Sequence, residues 1–362
     1  MKLSICGDIC PIGTNELWEK GENETLFHDV PSLFADSDRV IVNLECATTE
    51  RGTPIKKFGP NLGVTSNTAY VLREIGVTDC AISNNHIFDL GEEGVRDTIE
   101  ALEKAGLGYT GFGENESDAR KDLIIEKEGI KVAVLAVCEH EYCYALPNRM
   151  GARAFDPYDT LEDIRNAKAN NDYVVVLYHG GKEQCAYPSP RLRHQSQAMV
   201  KAGADVILCQ HSHCVGCYEE FMGGHILYGQ GNFHFVSRRE DDPQWQNGLL
   251  VQLEIEDGIQ ISFIPVQVVK DGIEIAKGKE KEEVLALLAT QSESLQSDAW
   301  LAGWRAFCKS QEEKYIKVIK NAYTEEATEK ENERFSHYLY CEAHRDVWEE
   351  LCKLSWETRV TP

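Results

Sequence analysis

The sequence predicts an α/β fold carrying a helical extension, and three observations support that reading. Short β-branched runs alternate with helical patterns through the first two thirds of the chain. A stretch of strands without intervening helices follows, and from about residue 279 the pattern turns to long helical segments. The order βα-then-β suggests a mixed sheet, or two packed sheets, flanked by helices. The expected division is residues 1–270 for the strand-and-helix domain and 271–362 for the helical extension.

Lys2 to Cys6 opens the chain as a strand, and a glycine-punctuated loop runs on to Gly13. Arg39 to Glu45 is an apolar run with a polar end, Ala69 to Ile75 reads as helix and Thr78 to Ser83 as strand. Val95, Ile99 and Leu102 are spaced by four and three, which marks one face of a helix from Gly94 to Ala105. Further strands are expected at Lys131–Val137, Tyr173–Tyr178 and Val206–Cys209, with helices at Asp159–Ala169 and Arg191–Ala202 between them. Ile226–Tyr228, Leu249–Ile255 and Ile259–Val269 form the β-rich stretch. The extension reads as helices over Glu282–Leu288, Trp300–Ala322 and Phe335–Leu354, with Trp300, Trp304, Tyr315 and Trp348 as a helical core. Glu325–Glu333 is a charge run that a solvated helix face or a connector explains.

Composition narrows the function classes. The 362 residues include 60 acidic and 37 basic side chains, a net charge of −23, which argues against a broad nucleic-acid surface and against docking on anionic lipid. No run approaches the roughly 18 apolar residues of a membrane span. The first eight residues read as a strand rather than as a signal peptide. The thirteen cysteines are an odd number scattered from Cys6 to Cys352, a pattern that fits reduced thiols. The expected location is the cytoplasm.

Residues of metal-binding type recur at the C-terminal ends of successive strands, the edge where α/β sheets gather ligand sites. They are Asp8 after the first, Asn43 and Glu45 after the second, and Asn84, Asn85 and His86 after the third. His179 follows a later strand, and His211 and His213 follow Val206–Cys209. In an extended segment, residues two apart point the same way, so His-x-His is a usable pair. Carboxylate, amide and imidazole donors suit Zn²⁺, Mn²⁺ or Fe²⁺. Lys56-Lys57-Phe58 and Tyr187-Pro188-Ser189-Pro190-Arg191 are candidates for holding an anionic substrate. Cys214-Val215-Gly216-Cys217 lacks two further ligands in register and reads as two free thiols in a turn.

These motifs, in this order, resemble the CapA family of capsule synthesis, linked to poly-γ-glutamate and to the calcineurin-like metallophosphoesterase fold. The resemblance covers about residues 3–237. It rests on Gly7-Asp8, Asn43-Leu44-Glu45, Ser83-Asn84-Asn85-His86 with Asp89-Leu90-Gly91, His179-Gly180-Gly181-Lys182-Glu183, Gln210-His211-Ser212-His213 and Tyr228-Gly229-Gln230-Gly231-Asn232-Phe233. It implies a four-layer α/β/β/α sandwich with a metal site at one edge of the sheets. Two adjacent divalent-metal positions follow from it, one using Glu45, Asn85, His179 and His211, the other Asp8, Glu45 and His213. A histidine two residues after the aspartate would complete the second, and here that position is Cys10. The resemblance therefore leaves open one metal or two, and Cys10 as a thiolate ligand.

His86 and Asp8 are the implied catalytic residues, with His86 as acid or oxyanion stabiliser beside a metal-activated water. Glu183 is expected to orient His179 or to line the pocket with Lys56, Lys57 and Arg191. The implied activity is metal-dependent hydrolysis of a phosphoester or of a γ-glutamyl or peptide amide, with a small anionic, peptide-like or polymeric substrate. Two alternatives stand beside it: a non-catalytic role in capsule assembly, and a peptide-tailoring epimerase or transferase. The tail helices either close over the site or build a homodimer.

Overall fold

The computed structural model describes residues 1–139, 141–236, 242 and 244–360. Two sheets form the centre. In the larger, Lys2–Ile9, Arg39–Leu44, Asp79–Ala81 and Gly108–Thr110 run parallel in that spatial order, and Asn232–His234 pairs with the end of Lys2–Ile9. On the other side of Lys2–Ile9 the antiparallel strands Asn247–Ile255, Ile259–Val269 and Gly272–Ile275 complete it. The second sheet has six strands, with Gly224–Leu227, Val206–Gln210, Tyr173–His179 and Ile130–Cys138 parallel and Tyr218–Phe221 and Leu123–Lys127 at the edges.

The strand alternation sorts side chains into layers. Leu3, Ile5 and Ile41 from the first sheet meet Val132, Val134, Val175, Leu177, Val206 and Leu208 from the second. The opposite faces bury Cys6, Val40 and Val42 against helix residues Trp18, Leu26, Leu72 and Val95 on one side. On the other, Ala133, Leu135, Val174, Val176 and Ile207 pack on Ile164, Leu192 and Met199. The result is the four-layer α/β/β/α sandwich, and it places the C-terminal ends of the parallel strands of both sheets along one edge.

Local chemistry sets the element ends. Gly106 closes the helix Gly91–Ala105 at φ 71°, where a side chain would be strained. Ser189 caps Pro190–Ala202 by accepting the Leu192 N–H, with proline at the first helical position. Gly7 is required by close approach, because a Cβ there would lie 2.2 Å from the Gly231 carbonyl oxygen.

The extension comprises the helices Gly278–Ser294, Ala299–Asn321, Glu329–Tyr340 and Glu342–Val360. Two sequence expectations change here. Phe335–Leu354 is not one helix, because Cys341 turns extended at φ −66° and ψ 129° and separates two. Trp300 leaves the tail core and packs on the second sheet's helical layer beneath Arg193, whereas Trp304, Tyr315 and Trp348 do join Tyr338 and Val347. The charge run resolves into a helix start, since Thr328 and Glu331 form a reciprocal capping box. Past residue 270, the edge strand Gly272–Ile275 and the helix residues Val284 and Leu288 still pack with the sheets. No helix among the described residues is long and apolar enough to cross a membrane.

Candidate metal centre

Strand ends of both sheets converge on one buried cluster. Asp8 and Glu45 are fully buried, and His179, His211 and His213 are each 6% exposed or less. Two groups have their ligand atoms within 4.8 Å of one another, Glu45 with His179 and His211, and Asp8 with Glu45 and His213. Glu45 belongs to both. His179 Nε2 lies 3.4 Å and His213 Nε2 3.9 Å from Glu45 Oε1.

Asn85 Oδ1 sits 2.8 Å from His179 Nε2, which brings the amide oxygen to the first group. Asn43 donates its amide to Asp8 Oδ1 at 2.7 Å and lies 2.9 Å from His179 Nδ1, tying the two groups together from behind. Asp8 Oδ2 accepts the backbone N–H of His211 at 2.9 Å. That bond fixes the turn of the histidine pair, whose residues both take left-handed backbone, φ 79° for His211 and 53° for His213. Non-glycine residues in that region carry strain that collects at functional sites. Asn232 Oδ1 holds His213 Nδ1 at 2.9 Å.

The electrostatics leave the cluster short of positive charge. Burial, then Asp8, pushes the Glu45 carboxyl well above its usual range, and neither of its oxygens has a hydrogen-bond partner among the described residues. Burial lowers His179 to about 3 and His211 well below the usual imidazole value, so both present neutral rings. His211 Nδ1 is itself buried without a partner. For His213, burial is outweighed by Glu45 and Asp8, and the ring is raised. A buried carboxylate without a partner costs several kcal/mol. Unpartnered oxygen and nitrogen donors converging in this way fit a divalent cation, and the donor set fits zinc, manganese or iron.

Other expected residues are placed differently. Cys10 belongs to neither ligand group: it is buried in the apolar cluster on the helix side of the first sheet, beside the Cys46 thiol. The turn after Ile9 carries its backbone N–H to the His234 carbonyl, and the side chain goes into the core. Lys57 lines the cavity above the cluster, with its side chain paired to Asp89 and its Nζ 3.2 Å from His86 Nδ1. Lys56 points outward to Glu329 and Glu333 of the extension. Arg191 lies in a knot with Glu139 at 2.6 Å and Asp346 at 2.8 Å, which joins the second sheet to the last helix. Neither Cys214 nor Cys217 belongs to a ligand group among the described residues.

His86 and Glu183 do line a cavity of about 1240 Å³ above the cluster, together with Asn85, His211 and His213. His86 Nδ1 is 2.6 Å from Asp89 Oδ2, and burial followed by Lys57 lowers its pKa. The far wall comes from the extension and includes Lys314, Lys317, Arg334, His337 and His344. Sequence patterns missed these residues, as well as Glu141 and Trp245. The strand ending at Cys138 was a signal for Glu141, because it lies beside Tyr173–His179 in the same sheet. Trp245, 4.5 Å from the His213 ring, carries no motif.

Fold and site together define a four-layer sandwich protein with a metal-ready cluster at its strand edge. The chain belongs to the bacterial capsule synthesis protein (PGA_cap) family, which matches residues 2–237. It is 31% identical over 271 residues to the capsule biosynthesis protein CapA of Bacillus anthracis, covering 71% of this chain and 64% of that one. It is also 31% identical over 242 residues to the PGA biosynthesis protein CapA of Bacillus subtilis, covering 65% and 63%. The match thus spans under two thirds of the length of these relatives. Among solved structures, it is similar to a 5'-nucleotidase precursor from Thermus thermophilus with a TM-score of 0.45 and 12% identity, over 80% of this chain and 58% of the other.

Proposed function

We propose that the protein is a metal-dependent hydrolase of an anionic substrate, a phosphoester or a γ-glutamyl or peptide amide. A connection with poly-γ-glutamate metabolism in a reducing, cytoplasmic setting belongs to the same proposal, supported by the family and by the CapA relatives' names. The observation that carries it is Glu45, a fully buried carboxylate shared by two ligand groups and without a hydrogen-bond partner of its own among the described residues. Glu45, Asn85, His179 and His211 would hold one divalent ion, and Asp8, Glu45 and His213 a second. A bound divalent ion lowers the pKa of water and polarises a phosphoryl or carbonyl oxygen.

The protein's own groups do the rest. Asp89 holds His86 by Nδ1, which leaves Nε2 with no hydrogen bond among the described residues. With its pKa lowered, the resting ring is neutral and Nε2 is a proton acceptor, able to take a proton and return it to the leaving group. Asn43 and the backbone of His211 keep Asp8 in place. Lys182 and the wall cations draw an anionic substrate into a cavity that an overall acidic exterior would otherwise repel.

The test combines metal content of the purified protein with turnover of aryl phosphates and of γ-glutamyl and peptide amides. Bound metal and turnover are expected, and His211→Ala should lower both, turnover by about 100-fold or more. A protein without metal, with activity indifferent to His211→Ala, ends this reading. Deuterium incorporation at Cα without bond cleavage would replace it with the epimerase alternative.

A further inference from the structure

A third set of ligand-type side chains lies where the extension meets the sandwich. Glu141, His337 and Cys341 bring ligand atoms within 4.8 Å of one another and share no residue with the two groups below them. Glu141 comes from the loop after strand Ile130–Cys138, while His337 lies in the last turn of helix Glu329–Tyr340 and Cys341 follows its end. Residues four apart at a helix end share one side of it, so imidazole and thiol approach Glu141 together. Cys341 Sγ is 3.6 Å from Glu141 Oε1, and the cysteine is only 2% exposed. His337 stacks on Tyr142 with ring centres 5.8 Å apart, and its imidazole makes no hydrogen bond among the described residues.

A thiol is a weak donor, and it is a poor sole reason to turn a carboxylate inward. Sulfur, nitrogen and carboxylate oxygen from three side chains match a zinc site with one position left over. All three residues also line the large cavity, so that position opens toward whatever the cavity holds. Glu141 Oε1 lies 4.0 Å from His211 Nε2, which sets the group directly beside the strand-edge cluster.

We infer that Glu141, His337 and Cys341 bind a zinc ion, separate from the strand-edge cluster, whose fourth position takes water or an anionic group from the cavity. The ion staples the break between the last two helices to the loop beside His211. This inference stands on its own residues and does not need the hydrolase reading.

Cobalt tests it, because thiolate-to-cobalt charge transfer gives a near-ultraviolet band and neither strand-edge group contains a cysteine. The metal-depleted full chain is titrated with Co²⁺ under reducing conditions. The band is expected in the unmodified protein and in Cys10→Ala, and is expected to vanish in Cys341→Ser with loss of one metal equivalent. No band, or a band that survives Cys341→Ser, overturns the site. If Cys341→Ser does not fold, His337→Ala decides: a cobalt affinity at the band reduced about 10-fold or more supports it, and an unchanged affinity overturns it. Cobalt uptake without the band would leave the strand-edge reading intact while removing this one.

Discussion

The floor and the far wall of the cavity are built in opposite ways. The floor is made of strand ends. Its ligand-type residues are nearly solvent-free, and Asp8 is pinned by a side-chain amide and by a backbone N–H. The wall is made of helices packed on aromatic rings, where Lys314 and Lys317 are exposed and Arg334 lies over Phe58. The family match takes in every floor residue and ends at residue 237, before the wall begins. A buried, cross-braced floor tolerates little variation, whereas cations on an exposed helix face change at small cost to stability. The two surfaces thus differ in kind: a buried, braced set of ligand-type residues below, and exposed cations on helices above.

Detaching the wall from the sandwich should have the largest effect. Arg191 joins Glu139, beside the floor, to Asp346 in the last helix, and Ser189 also bonds Asp346 at 2.5 Å. Arg191 holds Glu139 below the usual carboxylate range against the effect of burial, while burial leaves Asp346 raised. Arg191→Ala leaves two buried carboxylates facing each other without their cation. Unfolding in urea should show a loss of roughly 3–5 kcal/mol. Two transitions in place of one would show that the extension can come away while the sandwich stays folded.

A histidine that is not a ligand sharpens the view of the floor. His234 is fully buried between Trp18 and Phe27, neither ring nitrogen has a hydrogen-bond partner among the described residues, and burial lowers its pKa to about 3. The unfolded chain binds a proton there near ~6.5, while the fold does not until about 3. The protonation-linked penalty is therefore absent above ~6.5, and below it stability falls as pH falls, by about 1.4 kcal/mol per pH unit down to about 3. His234→Phe should remove that share, about 2 kcal/mol at pH 5 relative to pH 7, read as a smaller difference between urea midpoints at the two values. An unchanged difference would mean that His234 already has a partner for its proton.

What the sequence revealed follows the same division. The floor was legible because parallel strands fix where their C-terminal ends go, which put Asp8, Asn43, Glu45, Asn84, Asn85, His86, His179, His211 and His213 at one edge, while the resemblance picked the ligand set out of these. The layers were legible for the same reason, as the alternation in Lys2–Ile9 and Tyr173–His179 puts successive residues on opposite faces. The sequence could not show that Lys57 lines the cavity while paired with Asp89, or that Arg191 sits between Glu139 and Asp346, because a basic residue reads the same whether it meets solvent or a buried carboxylate. The wall was illegible because Arg334 and His337 reach the floor only through the packing of Tyr315, Tyr338 and Val347, which no periodicity shows.

Selectivity gives a smaller test. If the wall only recognises substrate, then Lys317→Ala and Arg334→Ala should raise KM for whichever anionic substrate is turned over, by about 10-fold together, and leave kcat nearly unchanged. The effect should shrink as salt rises, because the cations act across an open cavity. A fall in kcat at constant KM would place a wall residue in the chemistry and dissolve the distinction between the two surfaces.

The smallest expected effect concerns Cys10, the position where the resemblance put a histidine-like ligand. Its side chain packs beside Cys46 in the apolar layer behind the floor, on the far side of strand Lys2–Ile9 from the core between the sheets. Strict alternation would put Cys10 on the same face as Asp8, but the register shifts between Asp8 and Ile9 and the strand ends there, so Ile9 and Cys10 both enter the apolar layer. Cys10→Ala should therefore leave the number of bound metal equivalents unchanged, measured by elemental analysis on the folded protein. Loss of an equivalent would mean that the turn after Ile9 swings the thiol back toward Asp8 when metal binds, and the floor would then be less fixed than its cross-bracing indicates.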